Sequence, residues 1–195
     1  MTSLQAIAED IWLQIGGGND EARTQLEQVE QAAIVEYAWQ MLQMAWRDKR
    51  ENGEYIVPSY LSREVELKVV NNEADISKLN ILKGLPSEMW LQQIGDILGC
   101  TYTKTTINQS QLMADDDSMP DDSRTYFVIG EKIRFPKGTH SDKLPMIYAN
   151  DGSDLDGKET FVDDAIGALV SERLMAKYFG KVAQEDVTNN SNGNG

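Results

Sequence analysis

The stretch 19–50 limits the possible folds most. Asn19 or Asp20 reads as a helix cap, and Asp20 and Glu21 fall in the first turn, where carboxylates face the positive end of the helix dipole. Apolar residues then recur over a wide arc: Leu26, Val29, Ala33, Tyr37, Met41 and Met44 on one side, Ile34, Ala38, Leu42 and Ala45 beside them. Trp39 and Trp46 sit off the main stripe, and Asn52-Gly53 supplies the stop. At 1.5 Å per residue such a helix is on the order of 45 Å long. A helix apolar over so wide an arc needs more than one neighbour. One neighbour is a shorter helix capped by Thr2 or Ser3, with Leu4, Ile7, Ala8, Ile11, Trp12 and Ile15 as its stripe and Gly16-Gly17-Gly18 as its end. The other belongs to the domain core or to another subunit.

The second half of the chain changes period. Tyr126 to Ile129 is aromatic and β-branched, Gly130-Glu131 suits a two-residue turn, and Lys132 to Phe135 returns with Ile133 and Phe135 on one face and Lys132 and Arg134 on the other. Leu144 to Ala149 reads as a third strand. The last helix takes Thr160 as its cap, Asp163 and Asp164 in its first turn, Val162, Ile166, Leu169, Val170, Leu174 and Tyr178 as its apolar face, and Gly180 as its stop. The polar stretch 183–195 buries too little apolar surface to offset ordering costs of about 1–2 kcal/mol per residue, and reads as a flexible tail.

Between these parts the pattern is mixed. The chain is extended into Pro58, then alternates as a half-buried strand over 64–70, and turns at Asn71-Asn72. The stretch 75–82 fits a short helix or a strand. Leu85-Pro86 opens a helix with Trp90, Leu91, Ile94, Ile97 and Leu98 on its buried face and Gly99 at its end. Residues 101–107 alternate as a strand, and 109–123 reads as an acidic surface loop. The expected architecture is α+β: long N-terminal helices, a small, mostly antiparallel sheet and a C-terminal amphipathic helix. It forms a single domain over 1–182, with 54–84 as a candidate insertion.

The net charge of −14 argues against ordinary nucleic-acid binding, which neutralises phosphates with Lys and Arg. Solubility explains such a surface, and so does a channel wall past which DNA slides. Cys100 is the one cysteine, so no internal disulfide or cysteine zinc site is expected, in keeping with a reducing cytoplasm. The start MTSLQAIAEDIW does not read as a secretory leader, and no stretch approaches the ~18 apolar residues of a membrane span.

No GxSxG, HExxH, GxxxxGK[ST] or GxGxxG occurs. His140 is the one histidine and reads as a loop residue. A pair with Cys100 has no supporting motif. Asn150, Asp151, Asp154 and Asp156 invite a calcium test. With Asp156-Gly157 at EF-hand positions 5 and 6, Gly152 falls at position 1 and Asp163 at position 12, so the match fails. These residues, and the run Asp115-Asp116-Asp117 with Asp121-Asp122, read as solvated turns. No catalytic, cofactor or metal residue is assigned, and the chain is not read as an enzyme.

In their order, the N-terminal helices, the helix opened by Leu85-Pro86, the strand with Tyr102, the hairpin YFVIGEKIRFP, the strand LPMIYAN and the terminal helix with its polar tail resemble the head-to-tail connector ring proteins of short-tailed phages. The likeness is to the adaptor or tubular rings beneath the portal, in the manner of crAss-like phage ring proteins. It covers 85–181 best. It implies a virion protein of the neck, made in the host bacterial cytoplasm and assembled as a ring, twelve copies being expected. Such a ring docks on the portal, attaches the tail and other ring proteins, and lets genomic DNA pass through its lumen without sequence-specific binding. It has no membrane partner. The other readings are a calcium-responsive or small-molecule-binding module, or a tail-completion or baseplate component.

Overall fold

The structure, a computed structural model, describes residues 1–15, 22–53, 56–82, 84–95, 101–109, 124–136 and 138–191, without the side chains of 22–25 and 179–191. The fold is α+β. It differs from the expected single body over 1–182 in forming two compact units. A helical unit holds 1–55 and 151–195, and a sheet unit holds 56–150. The stretch 54–84, expected as a candidate insertion, starts next to the first unit boundary at Ile56, and the sheet unit continues past it to Asn150, because its strands pair with strands from the second half of the chain.

The helical unit begins with β1 (Thr2–Ser3) and α1 (Leu4–Gln14), followed by α2 (Ala22–Asn52). Ser3 is the cap of α1: its Oγ accepts from the Ala6 N–H at 3.2 Å. The next stretch of this unit is the loop 151–160, and it secures the same helix start. The Leu4 N–H donates to the Thr160 carbonyl at 3.0 Å, and the Gln5 N–H to the Gly157 carbonyl at 3.1 Å. Three N–H groups that a helix start leaves without intrahelical acceptors are thus satisfied. Leu4, Ile7, Ala8 and Ile11 of α1 close a core with Val29, Ala33, Ile34 and Tyr37 of α2.

The sheet unit runs through β2 (Ser62–Val70) and β3 (Glu73–Asp75), a single turn α3 (Ser87–Trp90), then β4 (Leu91–Ile94), β5 (Thr103–Lys104), β6 (Thr125–Ile129), β7 (Lys132–Arg134) and β8 (Lys143–Ala149). Their order in the sheet is β4-β8-β2-β3-β7-β6-β5, antiparallel except for β5 beside β6. The turns follow the sequence. Asn71 and Asn72 have φ of 52° and 61°, as a type I′ hairpin requires, and Gly130 has φ 56°. The sheet curls until its ends meet: the Tyr102 N–H, just before β5, donates to the Ile94 carbonyl at the end of β4, at 2.9 Å. That one bond links the end of β4 to the residue before β5, and no ladder pairs the two edge strands among the described residues. Leu67, Val69, Ala74, Ile133, Phe135, Leu144 and Met146 are buried.

The helix expected over 85–99 is a correction. It lasts one turn, and Leu91–Ile94 is a strand on β8, with register partners Leu91↔Tyr148, Gln93↔Ile147 and Ile94↔Met146. Gln92 is the extra residue of a bulge. A bulge turns Leu91 and Ile94, three apart, to the same face, so the apolar spacing imitated a helix. The strand expected over 101–107 is only Thr103–Lys104. The stretch 75–82 is neither helix nor strand beyond Asp75.

The chain returns to the helical unit as β9 (Phe161–Val162), paired with β1, and ends in α4 (Asp164–Ser191). The cap of α4 is Asp163, not Thr160: Asp163 Oδ1 accepts from the Ile166 N–H at 2.9 Å. Thr160 is held back in the loop, its N–H and Oγ both donating to the Asp156 carbonyl, at 2.9 and 2.7 Å. Gly180 does not stop α4, which runs on through part of the expected tail to Ser191. A glycine inside a helix costs only about 1 kcal/mol relative to alanine. Ile166, Val170 and Leu174 complete the helical core with Val162. The expected features at Gly16 to Asp20, Ile97 to Cys100 and Asp115 to Asp122 lie outside the described residues.

Candidate interaction surface

The run 165–170, Ala-Ile-Gly-Ala-Leu-Val, is apolar on every side of α4. A helix of that kind is ordinarily enclosed. Here Ile166 and Val170 point into the core, while Ala165, Ala168 and Leu169 face outward, with Leu169 44 % exposed. On β9 the alternation of a strand sends Val162 inward and Phe161 outward, 62 % exposed. Leu13 of α1 is 63 % exposed. On α2, Trp39 lies under the Arg173 guanidinium of α4, 4.9 Å from its ring centre, which places this off-stripe aromatic at the α2–α4 seam.

The outward face of the closed sheet is different in kind. Glu73 accepts from Lys132 Nζ and Arg134 Nε, both at 2.8 Å, and Lys143 Nζ pairs with Glu66 at 2.8 Å. The hydrogen bond from Lys132 is the main reason why the Glu73 carboxyl is held below the usual carboxylate range. At the foot of the β6–β7 turn lies a cavity of about 220 Å³. Ile76, Leu82 and Trp90 are its buried wall, Leu79, Ile81 and Leu85 its half-exposed rim. A polar groove, its charged lining divided evenly between Lys68, Lys78 and Lys132 and Glu66, Glu73 and Asp75, adjoins it through Leu79.

The charge is unevenly divided. The helical unit has eight Lys and Arg against nineteen Asp and Glu, a net of −11. The sheet unit has ten against thirteen, and five of those thirteen are Asp115, Asp116, Asp117, Asp121 and Asp122. Burial raises the Glu30 carboxyl above its ordinary range, and Glu9 is the next cause. Such a group weakens the fold above its raised pKa, and the effect disappears once folded and unfolded states are both protonated. Glu30→Gln is therefore expected to raise the unfolding free energy from urea titration at pH 7, by no more than the ~0.5 kcal/mol usual for a partly exposed site. The gain should vanish below about pH 4.

The residues weighed as ligands are parts of turns. The Ser153 N–H donates to Asp151 Oδ1 at 3.0 Å and the Lys158 N–H to Asp156 Oδ1 at 2.8 Å. Asp154 is exposed, and Asn150 is buried with its N–H on the Leu61 carbonyl at 2.8 Å. Among the described residues no group of three His, Cys, Asp or Glu is placed to hold a metal, and no helix is long and apolar enough to cross a membrane. His140 accepts at Nε2 from Arg124 Nε at 3.0 Å, and its backbone N–H donates to the Tyr102 hydroxyl at 3.3 Å.

Sequence reasoning missed the cavity and the exposed Phe161. The signal for the first was the Ile/Leu-rich stretch 76–85 without either regular period. For the second it was the Phe161-Val162 pair ahead of an acidic helix start. No family model matches the chain, and no curated protein does.

Proposed function

We propose that the chain is a structural subunit of a phage neck: one of about twelve copies in a closed ring that docks on the portal, lines the DNA channel and attaches the tail. The observation that carries this reading is that the helical unit completes its own core and still leaves Leu13, Phe161 and Leu169 to solvent. Apolar side chains left exposed on a unit whose core is already closed are available to a partner. The concentration of negative charge in the same unit fits a wall that DNA passes without adhering. The resemblance to connector ring proteins adds to this. Of its parts, the hairpin, the strand Lys143–Ala149 and the terminal helix are present, while the helix after Leu85-Pro86 is a single turn.

In this role the chain catalyses no reaction. It belongs in the virion neck and is made in the host cytoplasm. The test is a cryo-EM map of the purified particle. The reading expects the helical unit and the sheet unit of this chain between portal and tail. Density for the chain at a baseplate, or its absence from virions, contradicts it.

A further inference from the structure

We propose that the outward face of α4, with Phe161 just ahead of it in the chain, is a docking site for a basic partner: an apolar helix bordered by Lys or Arg, carried by another protein. The inference goes beyond the ring reading, which calls for partners without giving their charge. At about 3.6 residues per turn, Ile166, Gly167, Val170 and Leu174 fall on one side of α4. Ile166, Val170 and Leu174 belong to the core, and a Cβ on Gly167 would stand 3.4 Å from Ile7 Cδ1, so this side is closed. Ala165, Ala168, Leu169, Glu172 and Ala176 fall on the opposite side, and all of them are exposed. A surface helix ordinarily turns charged and polar residues to solvent. This face is apolar except for Glu172 over a length of roughly 16 Å. Its alanines let another backbone come close, while Leu169 and Phe161 offer larger side chains to bury.

The border of this face carries one sign. From Glu159 to Glu172 the chain has the exposed carboxylates of Glu159, Asp163, Asp164 and Glu172, and no Lys or Arg. Asp164 is 3.1 Å from the Met1 amine, but both groups are open to water, where such a pair is worth little. Lys158, just before the run, is near Glu30 of α2. The next cations along α4 are turned to rings, Arg173 to Trp39 and Lys177 to Tyr178. The helical unit has a net of −11, and the sheet unit, with ten Lys and Arg against thirteen Asp and Glu, a net of −3. A second copy therefore brings like charge whichever unit it presents. A segment bordered by Lys or Arg meets attraction instead, and complementary charge of this kind steers encounter and rejects acidic competitors.

The test is fluorescence anisotropy of labelled synthetic peptides titrated with the full chain. The peptides share one amphipathic helical face of Leu and Ala, bordered by Lys in the first, by Gln in the second and by Glu in the third. The Lys-bordered peptide is expected to bind about fivefold tighter than the Gln-bordered one at low salt and to lose that margin as salt is raised, with the Glu-bordered peptide weakest. Leu169→Ser is expected to weaken the Lys- and Gln-bordered peptides alike, by about tenfold. Glu172→Lys is expected to narrow the margin between them and to leave the Gln-bordered peptide unchanged. Both positions are exposed, and circular dichroism checks that the variants remain folded. Equal binding of the Lys- and Glu-bordered peptides overturns the proposal, as does binding that Leu169→Ser leaves unchanged, or no binding of any peptide. A wild-type assembly that Leu169→Ser disperses into single chains overturns it too, because a second copy then covers the face, and the ring reading stands. A chain that binds the Lys-bordered peptide as described, yet stays single with the portal present, contradicts the ring reading alone.

Discussion

Gly152→Ala is expected to lower the unfolding free energy by about 3 kcal/mol, through two additive causes. Gly152 has φ +81°, where an L side chain costs roughly 1–2 kcal/mol. A Cβ there would also stand 3.1 Å from Ile34 Cγ2, 3.2 Å from Ala38 Cβ and 3.3 Å from the Ile34 carbonyl oxygen. The carbonyl belongs to a helix and cannot swing aside, so the loop itself must lift, at the roughly 1–3 kcal/mol of overpacking. The same loop supplies the Gly157 and Thr160 carbonyls that satisfy the start of α1, so lifting it exposes those N–H groups as well. Gly53 is the control. It has the same φ of +81° with nothing within 4 Å of an added Cβ. Gly53→Ala should show the backbone cost alone. If urea midpoints of the two variants fall equally, the loop 151–160 is not clamped on α2 as described.

The second large effect is expected in the closed sheet. Phe135 is 1 % exposed, and its ring meets that of Tyr102 edge-on, at 5.3 Å between centroids and 77° between planes. Truncating a buried Phe to alanine ordinarily costs about 3–5 kcal/mol. Phe135→Ala also withdraws support from Tyr102, whose N–H joins the two ends of the sheet. Amide exchange is expected to accelerate along Ser62–Val70 and Lys143–Ala149, while Leu4–Gln14 keeps its wild-type protection. Equal acceleration in both places would mean that the two units unfold together.

Long periodic segments were legible. The stripe of α1, the arc of α2, the alternation of Ser62–Val70 and the hairpin over 125–134 follow from residue spacing alone, because one buried face dictates each of them. Elements decided by distant partners were not legible. Leu91 and Ile94 have helical spacing, yet β8 claims them as a bulged strand, and the bulge leaves no local mark. Thr160 is as good a cap as Asp163 in sequence, but Phe161–Val162 is taken by β1, which pushes the helix start onward. The division into two units was only partly legible: the stop at Asn52-Gly53 lies beside the first boundary, but what binds 62–70 to 143–149 is pairing across more than seventy residues. The candidate surface was half legible. The excess apolar arc and the acidic balance stand in the sequence, whereas the cavity exists only once Ile76, Leu82 and Trp90 converge.

The most direct measurement is the mass of the purified wild-type chain, by native mass spectrometry, alone and with the portal. A ring of twelve chains of 21.9 kDa predicts a particle of roughly 260 kDa that binds the portal as a unit. A single 21.9 kDa species that persists at high concentration and with the portal present contradicts the account.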